Sequence, residues 1–133
     1  MQNLYSSEKV YVKNSHVADA GRGVFAKYEI KKGEIIETCP VIEISTGDAS
    51  AINESILLTY FFFHGKKKEK VWLALGFGSL YNHSYAPNAS YTISEPDNTI
   101  EFVATGDIEA DSEITFDYKF GNPQNQEPLW FEV

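Results

Sequence analysis

Asn82-His83-Ser84 stands almost directly after the apolar run Val71-Trp72-Leu73-Ala74-Leu75-Gly76-Phe77-Gly78-Ser79-Leu80. A run of that kind heads into the interior of a fold, so an amide and an imidazole at its end need partners. A buried polar group left without one costs about 1–3 kcal/mol. Either the fold supplies those partners or a ligand does. Pro87-Asn88 then turns the chain back. His83 beside Ser84 does not make a hydrolase pair, because adjacent residues of one strand point to opposite faces. A second candidate lies far away in sequence, at Gly21-Arg22-Gly23. Paired glycines let a backbone approach a ligand closely and adopt unusual dihedrals. A plain glycine turn and a satisfied structural pair would use the same residues, so neither motif carries a function alone.

The elements that must position these residues are short. Lys9-Val10-Tyr11-Val12-Lys13 alternates polar and apolar residues, the pattern of a half-buried strand. Val24-Phe25-Ala26 follows the glycine turn, and Ile35-Ile36-Glu37 follows a turn at Lys31-Lys32-Gly33-Glu34. Val41-Ile42-Glu43-Ile44 predicts a further, separate strand. Thr46 or Asp48 can cap a short helix between Ser45 and Leu58, with Ala49, Ile52 and Ile56 at helical spacing. The run Lys66-Lys67-Lys68-Glu69-Lys70 reads as a solvated hairpin tip, or else as a contact with an acidic partner. Residues 89–94 and 99–104 flank Glu95-Pro96-Asp97-Asn98 as a β-hairpin. Glu113-Ile114-Thr115-Phe116-Asp117-Tyr118 is a last alternating strand. Many short strands with one helix predict a mainly β domain.

Composition narrows the function classes. At 133 residues the chain reads as a single domain, 1–133, with ample core material that includes eight Tyr and nine Phe. A net charge of −8, from 11 basic and 19 acidic residues, argues against direct nucleic-acid binding. It suits a cationic partner such as a Lys/Arg-rich peptide, although mild acidity also serves plain solubility. Cys39 is the only cysteine, which leaves no intrachain disulfide and no cysteine-based zinc site. Residues 1–8 lack the apolar stretch of a signal peptide, and Ile56 to Phe63 is too short to span a membrane. The expectation is an intracellular, soluble protein, cytoplasmic or nuclear, with no metal.

Four separated motifs occur in the order used by SET-domain protein lysine methyltransferases. Ala20-Gly21-Arg22-Gly23-Val24-Phe25-Ala26 resembles the family's Gly-x-Gly loop, and Lys32-Gly33-Glu34-Ile35-Ile36 its following turn and strand. Asn82-His83-Ser84 with Pro87-Asn88 resembles its first cofactor segment, and residues 113–118 its terminal catalytic strand. The match covers about residues 9–120, leaves 121–133 as a tail, and is nearest in character to minimal viral and bacterial members. The resemblance implies a mainly β SET fold of small sheets with a knot-like C-terminal crossing and one short helix in the insert. It implies methyl transfer from S-adenosyl-L-methionine to lysines of a basic, histone-tail-like protein. Such a transfer is an in-line displacement that depends on orientation. It also needs a neutral lysine, against a solution pKa of about 10.4, which an aromatic channel and a nearby sulfonium would favour.

The resemblance assigns roles residue by residue. Gly21, Arg22, Gly23, Asn82 and His83 would bind the cofactor, His83 and Asn82 through side-chain and backbone hydrogen bonds. Tyr118 would orient the lysine amine and methyl group, helped by C–H···O contacts from main-chain carbonyls. Tyr60, Phe116 and Trp130 would line the lysine channel. Phe rather than Tyr at 116 leaves room for a methylated amine, which implies di- or trimethylation. The chain departs from many chromatin-modifying members in lacking a cysteine-rich zinc segment, and Tyr85 replaces their usual cysteine. Trp130 and Phe131 would then act either as an aromatic lid or as an anchor to the core or to a second subunit. A homodimer is left open, and so is a catalytically silent SET-like module that binds lysine-rich peptides or a protein partner.

Overall fold

The computed structural model describes residues 3–17, 20–45, 48, 61–64 and 70–118. Nine strands run through them in chain order: β1 (Val10–Asn14), β2 (Arg22–Ala26), β3 (Ile35–Ile44), β4 (Phe61–His64), β5 (Lys70–Ala74), β6 (Asn82–His83), β7 (Ala89–Ser94), β8 (Thr99–Ala104) and β9 (Glu113–Phe116). They form a four-stranded sheet in the order β1-β2-β9-β6 and a five-stranded sheet in the order β4-β5-β3-β8-β7. The mainly β expectation is met by small sheets of short strands. No helix among the described residues is long and apolar enough to cross a membrane. The expected helix between 45 and 58 falls almost entirely outside the described residues. Tyr60, Trp130 and the tail that would complete the C-terminal crossing lie wholly outside them.

Residue alternation explains how the sheets close on a core. On β8, Ile100, Phe102 and Ala104 are buried while Glu101 and Val103 face the other way. On β9, Ile114 and Phe116 go inward and Glu113 and Thr115 do not. Phe62, Tyr81, Tyr91, Phe102 and Phe116 form an aromatic cluster, with the Tyr81 and Phe102 rings stacked at 4.5 Å. Aromatic contacts of this kind add about 0.5–1.5 kcal/mol each beyond area burial.

One expectation needs correction. The two strands read at 35–37 and 41–44 are a single ten-residue strand, β3. Proline cannot donate to a ladder, so Pro40 needs a position where no N–H is called for. In the fold Pro40 sits where β3 changes partner: residues up to Pro40 pair with β8, and Val41 onward pairs with β5. The missing N–H falls at the hand-over, while the Pro40 carbonyl still accepts from Leu75 N–H at 2.9 Å. β4 and β5 pair antiparallel with His64 opposite Lys70, as expected of strands flanking a hairpin tip. The tip itself, 65–69, lies outside the described residues.

The connection that matters most for the site is the parallel pairing of β6 with β9, Asn82 opposite Thr115 and His83 opposite Phe116. It sets the Asn-His pair alongside the terminal strand. Asn88 fixes the same strand from a third direction. Its Oδ1 accepts from Thr115 N–H and its Nδ2 donates to the Glu113 carbonyl, both at 2.9 Å. A side-chain amide thus stands in for a peptide group against β9, which explains the need for asparagine after Pro87.

Candidate active site

Gly21-Arg22-Gly23, Asn82-His83 and Tyr118 are separated by up to about a hundred residues, yet three strands bring them together. β2 begins at Arg22, β9 pairs with β2, and β6 pairs with β9 on its far side. Gly21 lies just before β2 with φ +76°, a left-handed backbone that favours glycine. Gly23 is needed for a different reason. A Cβ there would collide with the Glu113 carboxylate and lie 3.0 Å from Asn82 Nδ2. The second glycine of the motif therefore admits two polar side chains to the loop.

Those side chains form a network that sequence reasoning missed. The two hydrogens of Asn82 Nδ2 are shared among three acceptors, the Arg22 carbonyl at 3.0 Å, Ser15 Oγ at 3.0 Å and Glu113 Oε2 at 2.8 Å. Glu113 also accepts from the Ser15 hydroxyl at 2.8–2.9 Å and from His16 N–H at 3.0 Å. Ser15 Oγ in turn accepts from Val17 N–H at 2.9 Å. One carboxylate thus ties β9 to the segment entering the glycine loop and to the Asn82 amide. This geometry fixes the amide with its nitrogen toward the network. Glu113 was legible only as a polar residue of an alternating strand, and such a position is most often solvated.

His83 is buried, 3% exposed, and its ring serves Tyr118. Its Nδ1 accepts from the Tyr118 backbone N–H at 3.0 Å. Nδ1 also lies 3.8 Å from Asp117 Oδ1, a contact that is an ion pair only in the protonated ring. Protonating Nδ1 would remove the acceptor that holds Tyr118, so the geometry favours the neutral ring with its proton on Nε2. The ring is flanked edge-on by Tyr85 at 4.3 Å and Tyr118 at 5.1 Å. Expected as a cofactor ligand through its side chain as well as its backbone, His83 has at least one ring nitrogen committed to the fold.

Tyr118 stands two residues beyond the last residue of β9, where the strand was expected to run on. Its hydroxyl donates to the Tyr81 carbonyl at 2.6 Å. Phe116, 4% exposed, packs among Phe62, Tyr81, Tyr91 and Phe102, with its ring 4.9 Å from that of Tyr118. Tyr81 is itself held by Glu37, whose Oε1 accepts from its hydroxyl at 2.7 Å. Burial, and then the Glu37 charge, raise the Tyr81 phenol well above its ordinary value, so it remains a donor. The same two causes push the Cys39 thiol up. Burial and then Asp117 raise Tyr91. Among the described residues no cluster of His, Cys, Asp and Glu could hold a metal ion.

The arrangement joins two functions across one short strand. On one side it offers a loop of glycine backbone buttressed by a carboxylate and an amide. On the other it offers a tyrosine hydroxyl fixed in a bed of aromatic rings. Known proteins show which family the chain resembles. The SET domain family profile matches residues 21–119. A Schizosaccharomyces pombe histone-lysine N-methyltransferase, H3 lysine-37 specific, is 32% identical over 118 residues, covering 84% of this chain and 71% of that protein. A solved Plasmodium falciparum structure, provisionally assigned as a histone methyltransferase, is 35% identical with a TM-score of 0.62, covering 83% of this chain and 96% of that one. The autoinhibited Chaetomium thermophilum polycomb repressive complex 2 bound to S-adenosylmethionine shares the fold at 23% identity and a TM-score of 0.72. It covers 90% of this chain and 16% of that one.

Proposed function

The chain belongs to the SET-domain family of S-adenosylmethionine-dependent protein-lysine methyltransferases, and on that premise we propose the roles of its residues and its substrate. The observation that carries the proposal is the hold on Tyr118. Its backbone is fixed by His83 and its hydroxyl by the carbonyl of Tyr81, the two residues that flank Asn82 in the chain. Tyr118 is the catalytic residue: its hydroxyl orients the lysine amine for attack. Gly21, Arg22 and Gly23 present backbone groups to the cofactor. Asn82 has its amide nitrogen turned toward Glu113 and Ser15, and its side-chain oxygen would be the atom that accepts from the cofactor.

These residues fit the group. At Gly21 the space where a Cβ would stand is open, so a ligand can come close to the backbone there, whereas the Cβ-free space at Gly23 seats Glu113 and Asn82. S-adenosylmethionine supplies a methyl group on a sulfonium. The chain supplies orientation and dryness. Phe116 and the rings packed on it form an apolar bed beside Tyr118, and desolvation of this kind disfavours the lysine ammonium. Phe116 in place of tyrosine leaves room for an amine that already carries methyl groups.

The substrate we propose is a lysine in a basic, histone-like protein. A net charge of −8 supports it by steering cationic segments toward the enzyme. The histone specificity of the fission-yeast relative supports it by kinship. The test is methyl transfer to a panel of histones and basic proteins, with product lysines located by mass spectrometry. Tyr118→Phe should lower transfer at least a hundredfold and leave cofactor affinity within about twofold. Unchanged transfer by that variant would remove Tyr118 from the catalytic role.

A further inference from the structure

Glu37 is a buried carboxylate, 7% exposed, that the reaction described above does not use. It accepts from the Tyr81 hydroxyl at 2.7 Å through Oε1 and from Phe77 N–H at 3.0 Å through Oε2. Gly76, at φ +64°, passes so close that a Cβ there would lie 2.7 Å from Oε2. The turn from Leu75 to Tyr81 is therefore wrapped around this one side chain. It is closed further by Ser79 Oγ on the Ala74 carbonyl at 2.9 Å and by Leu80 N–H on the Phe77 carbonyl at 2.9 Å.

Tyr81 links this turn to the reaction. Its ring, 1% exposed, is clamped between the Glu37 carboxylate at its hydroxyl end and Phe102 stacked on its face. Its carbonyl, at the other end of the same residue, is the acceptor that holds the Tyr118 hydroxyl at 2.6 Å. A residue pinned at its ring tip cannot shift its backbone freely. We propose that Glu37 is a positioning residue for methyl transfer, setting the place of the Tyr118 hydroxyl through Tyr81. This rests on the assignment of Tyr118 as catalytic. Glu37 shares no hydrogen-bond partner with Glu113, so on this proposal its loss falls mainly on the transfer rate.

The test compares wild type with Tyr81→Phe and Glu37→Gln. Tyr81→Phe keeps the ring and its stacking but removes the hydroxyl. Glu37→Gln keeps one acceptor oxygen, so it should rescue part of the function and serves if Tyr81→Phe folds poorly. Three quantities are read on folded protein: the single-turnover rate of methyl transfer, the S-adenosylmethionine affinity by calorimetry, and the 19F resonance of 3-fluorotyrosine placed at position 118. The expected result is a rate at least tenfold lower for Tyr81→Phe and several-fold lower for Glu37→Gln. Cofactor affinity should stay within about twofold, and the position-118 resonance should shift or broaden in both variants. Transfer rates per folded molecule equal to wild type would overturn the proposal, and so would losses confined to cofactor affinity. If wild type itself transferred no methyl group, the methyltransferase reading would fail. The fluorine resonance would then still decide the positioning claim, and an unmoved signal in both variants would sink it.

Discussion

Replacing Glu113 by glutamine separates a cofactor-site support from a general structural residue. The change is nearly isosteric, yet the hydrogen bonds leave it no good orientation. Asn82 donates to Oε2 and His16 N–H to Oε1, while the Ser15 hydroxyl reaches both oxygens. A glutamine amide has one acceptor end and one donor end. If its oxygen faces Asn82, its NH2 group meets the His16 N–H; if it faces His16, the NH2 group meets the Asn82 amide. Ser15 cannot readily absorb the extra donor, because its oxygen already accepts from Asn82 and Val17. One donor is therefore left facing another.

Losing a charge-assisted acceptor and orphaning one donor costs about 1–3 kcal/mol. The site is only partly buried, which lets water recover some of this, so about 2 kcal/mol is a fair centre. Spread over cofactor affinity, that is a rise in Kd of about thirtyfold. Some of it will appear as lower folding stability, since the network also joins β9 to the segment before β2. The assay is calorimetric titration with S-adenosylmethionine beside a urea midpoint for the free protein. At least a tenfold loss of affinity is expected. A variant that binds within twofold of wild type, while its urea midpoint drops by the full amount, would refute the reasoning. Glu113 would then be a structural cross-link and no more.

Gly23→Ala should lower cofactor affinity at least tenfold, because its methyl group must displace Glu113 or Asn82; calorimetry checks it, and overpacking should also cost about 1–3 kcal/mol of stability by chemical denaturation. Phe116→Tyr should shift the product distribution toward monomethyl-lysine by mass spectrometry, with a fall in thermal midpoint, because a hydroxyl in this nearly closed bed needs a partner. Cys39, the only cysteine and fully buried, should resist iodoacetamide in the folded state and react once urea unfolds the chain, which makes it a clean unfolding probe. Stability should also fall at high pH. The folded Cys39 and Tyr81 hold their protons longer than the unfolded groups do, so the unfolded state binds fewer protons above about pH 9 for Cys39 and above about pH 10 for Tyr81. Beyond its own threshold each group contributes a loss of about 1.4 kcal/mol per pH unit, measurable as the denaturant midpoint against pH.

How much of this was legible in the chain depended on the range of the signal. The β7–β8 hairpin is local: two alternating runs meet across Glu95-Pro96-Asp97-Asn98, and the register follows from that loop. The Gly-x-Gly and Asn-His motifs were legible as types of residue. That they share a site depends on β9 lying between β2 and β6, a pairing over some thirty and ninety residues that no local pattern encodes. The runs 35–37 and 41–44 were read as two strands because each is a separate local pattern, whereas they are one strand that changes partner at Pro40. Glu37, Glu113 and Ser15 were invisible as site residues for a common reason. Each is a polar residue in a strand or turn where solvation is the ordinary fate, and its importance arises from partners 31 to 98 positions away.

The adjacency of Tyr81 and Asn82 then has a physical meaning. Neighbouring residues in extended chain point to opposite sides. Asn82 sends its amide toward Glu113, Ser15 and the glycine loop. Tyr81 sends its ring the other way, into the aromatic core and onto Glu37. His83 alternates again and reaches back to the Tyr118 backbone. Three consecutive residues thus address the glycine loop, the core and Tyr118 between them. Separating them by even one residue would turn every side chain to the wrong face. Contiguity of the motif follows from the two-residue period of a strand lying beside β9. Glu113 holds Asn82 on one side, and Glu37 holds Tyr81, the residue just before β6, on the other.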